Sequence, residues 1–218
     1  MKLKKIASLA LAGIMAVSML TACGEGTGNG NSGSSSSEPT APTGYTATIY
    51  SLLNSKSKSV MSSEASNILS LAVDASAKAL DNDTFKESNK NLSAVDVQGH
   101  VSGNSETAVS EMGRNVDGKW SVYGIKSGED DDITDYSLTL NDGDTKVFVM
   151  LAPTSLNDTQ INSGVAGIVN GLVEDLDTNN KTSTVSYKMS ADRELIGSSN
   201  AGIYLIAVAI SMNETAKA

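Results

Sequence analysis

The stretch Ile203-Tyr-Leu-Ile-Ala-Val-Ala-Ile210, near the C-terminus, decides how the rest of the chain is read. It is a continuous apolar run, far shorter than the about twenty residues a membrane-spanning helix needs. A run of this kind fits a strand buried on both faces, or a terminal helix lying in the core. The strand is the reading adopted, and it asks for a sheet around it. Upstream, Thr182–Met189 alternates Val185, Tyr187 and Met189 and reads as a second strand. Between the two, Asp192-Arg193-Glu194 reads as a charged turn. Tyr136–Leu140 (YSLTL), the turn Asn141-Asp142-Gly143-Asp144 and Lys146–Leu151 (KVFVML) predict a hairpin. After the turn signal Asp117-Gly118, Lys119–Ile125 (KWSVYGI) sets Trp120 and Val122 against Tyr123 and Ile125, again a strand. Tyr45–Tyr50 (YTATIY) alternates in the same way and predicts a strand at the start of the folded part.

Two segments carry helical spacing. Ala65, Ile68, Leu69, Ala72, Ala75, Ala79 and Leu80 recur mostly three and four residues apart and predict a helix over 62–80. Ser62 or Ser63 would cap it, Asp81-Asn82-Asp83 would stop it, and Ser76 is a polar gap in its stripe. Ile161, Val165, Ile168, Val169, Leu172 and Leu176 predict a second helix over 159–176, and Asn157 three residues before Gln160 resembles a capping box. Gly164, Gly167 and Gly171 lie along it; each costs about 1 kcal/mol relative to Ala, a loss that close packing against a neighbouring element would offset. Residues 84–118 are weakly patterned, with a short strand at 94–97 and a helix at 106–112 ended by Gly113. The expected fold is α+β: a single domain whose mainly antiparallel sheet packs against the helices 62–80 and 159–176. TATIYSLLNS and TKVFVMLAPT, each followed by a loop, a helix and an acidic end, also hint at a duplicated strand–helix unit.

The N-terminus says where the domain sits. Lys2, Lys4 and Lys5 precede an apolar run from Ile6 to about Met19, a charged n-region and h-region of secretory type. The segment ends in Leu20-Thr21-Ala22-Cys23, which resembles the lipobox of bacterial prolipoproteins. That resemblance covers residues 1–23 only. It implies a signal peptide over 1–22, a diacylglyceryl group on Cys23 and a location at the outer face of the bacterial cytoplasmic membrane, with a Gram-positive-like surface the expected setting. A diacylglyceryl group supplies at one residue the two chains that stable anchoring requires. Cys23 is the sole cysteine, so no intramolecular disulfide competes for it. Residues 23–43, rich in Gly, Ser, Thr, Asn and Pro, bury almost nothing and read as a disordered tether. A Gly/Ser-rich chain of about twenty residues spans roughly 25 Å on average, which keeps residues 44–218 near the membrane.

Without residues 1–22 the chain keeps 13 basic residues against 25 acidic ones, a net charge near −12. Such a surface is repelled by phosphate backbones, so no nucleic acid is expected as a partner. Aromatics make up 4% of the chain, which leaves few platforms for stacked sugar rings. Gly128-Glu129-Asp130-Asp131-Asp132, with Asp135 nearby, offers the oxygen ligands calcium takes. Its spacing matches no calcium loop, and a solvated loop is the plainer reading, so Asp130, Asp131, Asp132 and Asp135 are weak metal candidates. His100 is the single histidine, with no Gly-x-Ser-x-Gly turn to partner it. Arg114 and Arg193, the two arginines, suit surface ion pairs or anion capture. No Gly-rich phosphate loop joins a strand to a helix, and no cofactor is expected. The chain thus reads as a lipid-anchored extracytoplasmic surface protein, a non-enzymatic binding or accessory module with an envelope protein as its possible partner. The alternative is a small extracytoplasmic hydrolase using carboxylates or serines distant in sequence.

Overall fold

The apolar run at 203–210 is a strand, and it is the middle of the sheet. The computed structural model describes residues 44–89, 105–125, 140–174 and 183–216. In chain order it contains α1 (Gly44–Leu52), α2 (Ser55–Val60), β1 (Met61–Ser63), α3 (Asn67–Leu80), α4 (Asp83–Asn89), α5 (Ser105–Asn115), β2 (Ser121–Gly124), β3 (Thr145–Pro153), α6 (Asp158–Glu174), β4 (Ser183–Ile196) and β5 (Ile203–Ala216). The strand order is β1-β4-β5-β3-β2. β5 is antiparallel to both β3 and β4, while the short edge strands β1 and β2 run parallel to β4 and β3. The fold is therefore α+β, a single domain with a five-stranded, mostly antiparallel sheet.

Helices cover both faces, which is why β5 reads as an unbroken apolar run and not as an alternation. On one face α1, α2 and α6 pack over Phe148, Met150, Tyr187, Met189, Ala191, Ile206, Val208 and Ile210. On the other, α3, α4 and α5 cover Val147, Val149, Leu151, Ile196, Leu205, Ala207 and Ala209. The long helix at 158–174 opens with the expected capping box. The Asn157 N–H donates to Gln160 Oε1 at 3.0 Å and the Gln160 N–H donates to Asn157 Oδ1 at 3.0 Å. Ile161, Val165, Ile168, Val169 and Leu172 are all buried, as is Gly164, and α1 and α2 lie against this helix. Asn170 joins them: its Oδ1 accepts from the Asn54 N–H at 3.1 Å and from Ser57 Oγ at 2.8 Å.

Several expectations are overturned. Tyr45–Tyr50 is helix and not strand, because Thr46, Ile49 and Leu53 form a three-and-four stripe that is buried against α6 and β4. Tertiary burial overrides the β-propensity of Thr, Ile and Tyr. The NSKSKS loop is also helical, capped by Asn54, whose Oδ1 accepts from the Ser57 N–H at 2.8 Å. With helix where the first half of the supposed duplication needs a strand, the two units are not equivalent. The helix expected at 62–80 begins at Asn67 with Ser66 as its cap, since Met61–Ser63 are taken up by β1. Its buried face is Leu69, Ala72, Val73, Ser76, Ala77 and Leu80, while Ile68 and Ala79 face solvent. Ser76 belongs to that face because its hydroxyl accepts from Asn115 Nδ2 at 3.1 Å.

α5 runs past Gly113, which is not its cap. The strand expected at 94–97 lies outside the described residues, as does 136–139 of the expected hairpin. Along 146–149, β3 is flanked on both sides by β5 and β2, so no hairpin partner pairs there. The turn itself forms. Gly143 has φ +79°, which favours glycine, and the Asp144 N–H donates to the Asn141 carbonyl at 3.0 Å. Asp192-Arg193-Glu194 is not a turn: β4 continues through it to Ile196, paired with β5 throughout.

Candidate functional site

Beyond Ile196 the chain reverses through 197–202 and re-enters the sheet as β5, beside the point where β3 ends at Pro153. Two glycines make this corner. Gly197 has φ +89°. Gly202 lies so close to the preceding backbone that a Cβ there would stand 2.7 Å from the Ile196 carbonyl oxygen and 2.8 Å from Leu195 Cδ1. Thr154 fixes the corner to the end of β3. Its N–H donates to the Gly202 carbonyl at 3.1 Å, its hydroxyl donates to the same carbonyl at 3.1 Å, and the Gly202 N–H donates to Thr154 Oγ1 at 3.0 Å.

The short helix α4 lies alongside, held by Asn82, whose Oδ1 accepts from the Phe85 N–H at 2.9 Å, and by buried Phe85. Between α4, the end of β3 and the 197–202 corner is an open groove of about 390 Å³. Asp83, Lys86, Glu87 and Asn89 line one wall; Thr154, Ser155 and Asn200 line the other; Pro153, Ala201 and Ile203 form an apolar floor. Lys86 Nζ pairs with Asp81 Oδ1 at 2.6 Å, and this bond raises the ammonium pKa above the ordinary lysine value. The groove thus offers hydroxyls, amides and both signs of charge on walls held by backbone bonds. It is suited to hydrogen-bonding a polar ligand or peptide.

On the opposite face of the same end lies Arg193. Its guanidinium sits between two rings, with Cζ 4.9 Å from the centroid of Tyr45 and 4.8 Å from that of Tyr204. Nη2 pairs with Asp158 Oδ1 at 2.9 Å. The expected ion pair is present, but the Arg193 side chain is only 21% exposed, because it emerges from mid-strand under α1 and not from a turn. Among the described residues, Tyr45 Oη, Arg193 Nη1 and Asn162 Oδ1 are buried without a hydrogen-bond partner. Burial pushes the Tyr45 phenol well above the ordinary tyrosine range, and the nearby Arg193 charge offsets this only in part. The cluster joins α1, α6, β4 and β5.

The other residues singled out in the sequence are placed as follows. Arg114 Nη1 pairs with Glu111 Oε2 at 2.7 Å on the exposed side of α5, a surface ion pair as expected. Cys23, His100, Asp130, Asp131, Asp132 and Asp135 lie outside the described residues. None of the groove residues was singled out in the sequence as functional; Asp83 and Ile203 were read only as a helix stop and a strand residue. The groove residues come from 83–89, 153–155 and 200–203, and no local spacing connects them. The one available signal was the glycine pair flanking Ser198–Ala201. The chain matches no protein-family model, and no curated protein or solved structure is similar to it.

Proposed function

We propose that this protein is a lipid-anchored extracytoplasmic binding or accessory module, without catalytic activity of its own. It would be held at the outer face of the bacterial cytoplasmic membrane by Cys23, with the groove beside Thr154 and Gly202 as its contact site. The observation that carries the location is the series Lys2-Lys4-Lys5, apolar run, Leu20-Thr21-Ala22-Cys23. The groove supports the binding role, since its volume lies within the roughly 300–1,000 Å³ of ligand sites and its walls are cross-linked before any ligand arrives. Among the described residues no helix is long and apolar enough to cross a membrane.

The test is Cys23→Ala in a bacterial host supplied with labelled fatty acid. The wild type should carry label and sediment with membranes; the variant should lose label and be released or remain unprocessed. A variant still labelled and membrane-bound would end the lipobox reading. In-cell cross-linking with mass spectrometry then tests the module: one reproducibly captured envelope protein identifies an accessory subunit. A reproducible turnover of any substrate by the purified chain would overturn the non-catalytic assignment.

A further inference from the structure

A second concavity lies at the other end of the sheet, on the face covered by α3 and α5. The strand registers bring a polar row together there. Lys188 of β4 stands opposite Ser211 of β5, and Ser211 stands opposite Thr145 of β3. Trp120 directly precedes Ser121, which pairs with Lys146, so the indole extends the row on its far side. Ser190 lies one step further in on β4, opposite Ala209. Beyond these residues the same face turns apolar, with Val147, Val149, Leu205 and Ala207 buried under the helices. The row encloses a pocket of about 190 Å³.

Three properties of this pocket point to one class of ligand. First, Thr145, Ser190 and Ser211 all line it, Ser190 is only 7% exposed, and beyond the strand ladders the three side-chain hydroxyls have no hydrogen-bond partner among the described residues. A hydroxyl both donates and accepts, so three on one surface match a ligand bearing hydroxyls of its own. Neighbouring strands stand about 4.8 Å apart, a separation that alternate equatorial hydroxyls on a six-membered ring share. Second, the charges at the rim are already matched: Lys188 Nζ pairs with Glu64 Oε2 at 2.8 Å. The exposed pair leaves no net charge at the rim to attract a charged ligand, which suits a neutral one. Third, Trp120, the one tryptophan of the chain, is half-buried against the core beside the hydroxyls and supplies an apolar wall.

We propose that the pocket formed by Thr145, Ser190, Ser211 and Trp120 binds a small neutral polyhydroxylated molecule of the monosaccharide class. The site is separate from the groove and does not depend on the lipid anchor. It also locates a sugar platform that composition alone argues against, because a single aromatic suffices when the strand register places it beside the hydroxyls.

Trp120 reports on its own pocket. The experiment is titration of the intact chain with glucose, galactose and N-acetylglucosamine, followed by tryptophan emission, with glycine and inorganic phosphate as zwitterionic and anionic probes. Thr145→Val and Ser211→Ala are measured in parallel, each checked for an unchanged thermal unfolding transition. The expected result is a saturable emission change with at least one sugar and none with phosphate or glycine. Each variant should weaken that binding about three- to tenfold, the fold-change of one net hydrogen bond. No saturable response to any of the sugars overturns the proposal. So does a response confined to phosphate or glycine, or wild-type affinity in both folded variants.

Discussion

Thr46, the third residue of the first helix, hydrogen-bonds both backbone groups of Ala191 in β4: its Oγ1 accepts from the Ala191 N–H at 2.9 Å and donates to the Ala191 carbonyl at 2.8 Å. β1 ends at Ser63, paired with Met189, and the Glu64 N–H still donates to the Met189 carbonyl; two residues further along β4 the Thr46 hydroxyl supplies the bonds that a continued edge strand would have made. Thr46 is 4% exposed, and Thr46→Val would leave two buried backbone groups unpaired with almost no change in shape. The expected loss of stability is about 1–3 kcal/mol, read by urea unfolding. Wild-type stability in that variant would show that water replaces the hydroxyl at this edge.

The phenol of Tyr45 sets a limit at alkaline pH. Its folded pKa is raised by burial, whereas in the unfolded chain it titrates near the ordinary value of about 10. The unfolded state therefore releases its proton first as pH rises, and stability present below about pH 10 is lost progressively above it. Tyr45→Phe removes this dependence. At neutral pH it should cost little, because the hydroxyl makes no well-aligned hydrogen bond among the described residues and loses only its contact with the Arg193 guanidinium. Unfolding curves collected on both sides of pH 10 compare the slopes directly; parallel slopes for the two proteins would contradict this account.

Asn157→Ala removes one half of the capping box on α6 and frees the Gln160 N–H. Loss of an N-cap of this kind costs about 1 kcal/mol. Asn157→Ser should retain most of it, which separates the cap from a general effect of substitution. Both are read by chemical denaturation at neutral pH.

Gly202→Ala puts a methyl group against Leu195 and against the backbone carbonyls of Ile196 and Ser198, which cannot swing aside as a side-chain end can. Overpacking of this sort costs about 1–3 kcal/mol. The shift would also disturb the three Thr154–Gly202 bonds that fix the groove wall. Exposed Gly113, with open space where a Cβ would stand, is the control: Gly113→Ala lies within helix α5 and should stabilise it by up to about 1 kcal/mol. Equal effects at the two glycines would mean that the close approach at Gly202 relaxes freely.

Where the physics is local, the residues themselves decided the structure. Asn157 and Gln160 meet because they are one helical turn apart, and the buried stripe from Ile161 to Leu172 follows from 3.6-residue periodicity. Ile203–Ile210 could be read as a strand covered on both faces because every side chain in the run is apolar. Where the deciding contact is distant, the local pattern misled. YTATIY alternates like a strand, yet Thr46 and Ile49 are drawn onto β4 and α6, and helical spacing is the one geometry that buries both. Asp192-Arg193-Glu194 has the composition of a turn, but β5 pairs it as strand and Asp158, Tyr45 and Tyr204 accommodate the arginine. The groove and the hydroxyl row draw on segments scores of residues apart, and strand register brings Thr145, Lys188 and Ser211 into line. Register is set by burial across the whole sheet, a quantity that no short stretch of sequence contains.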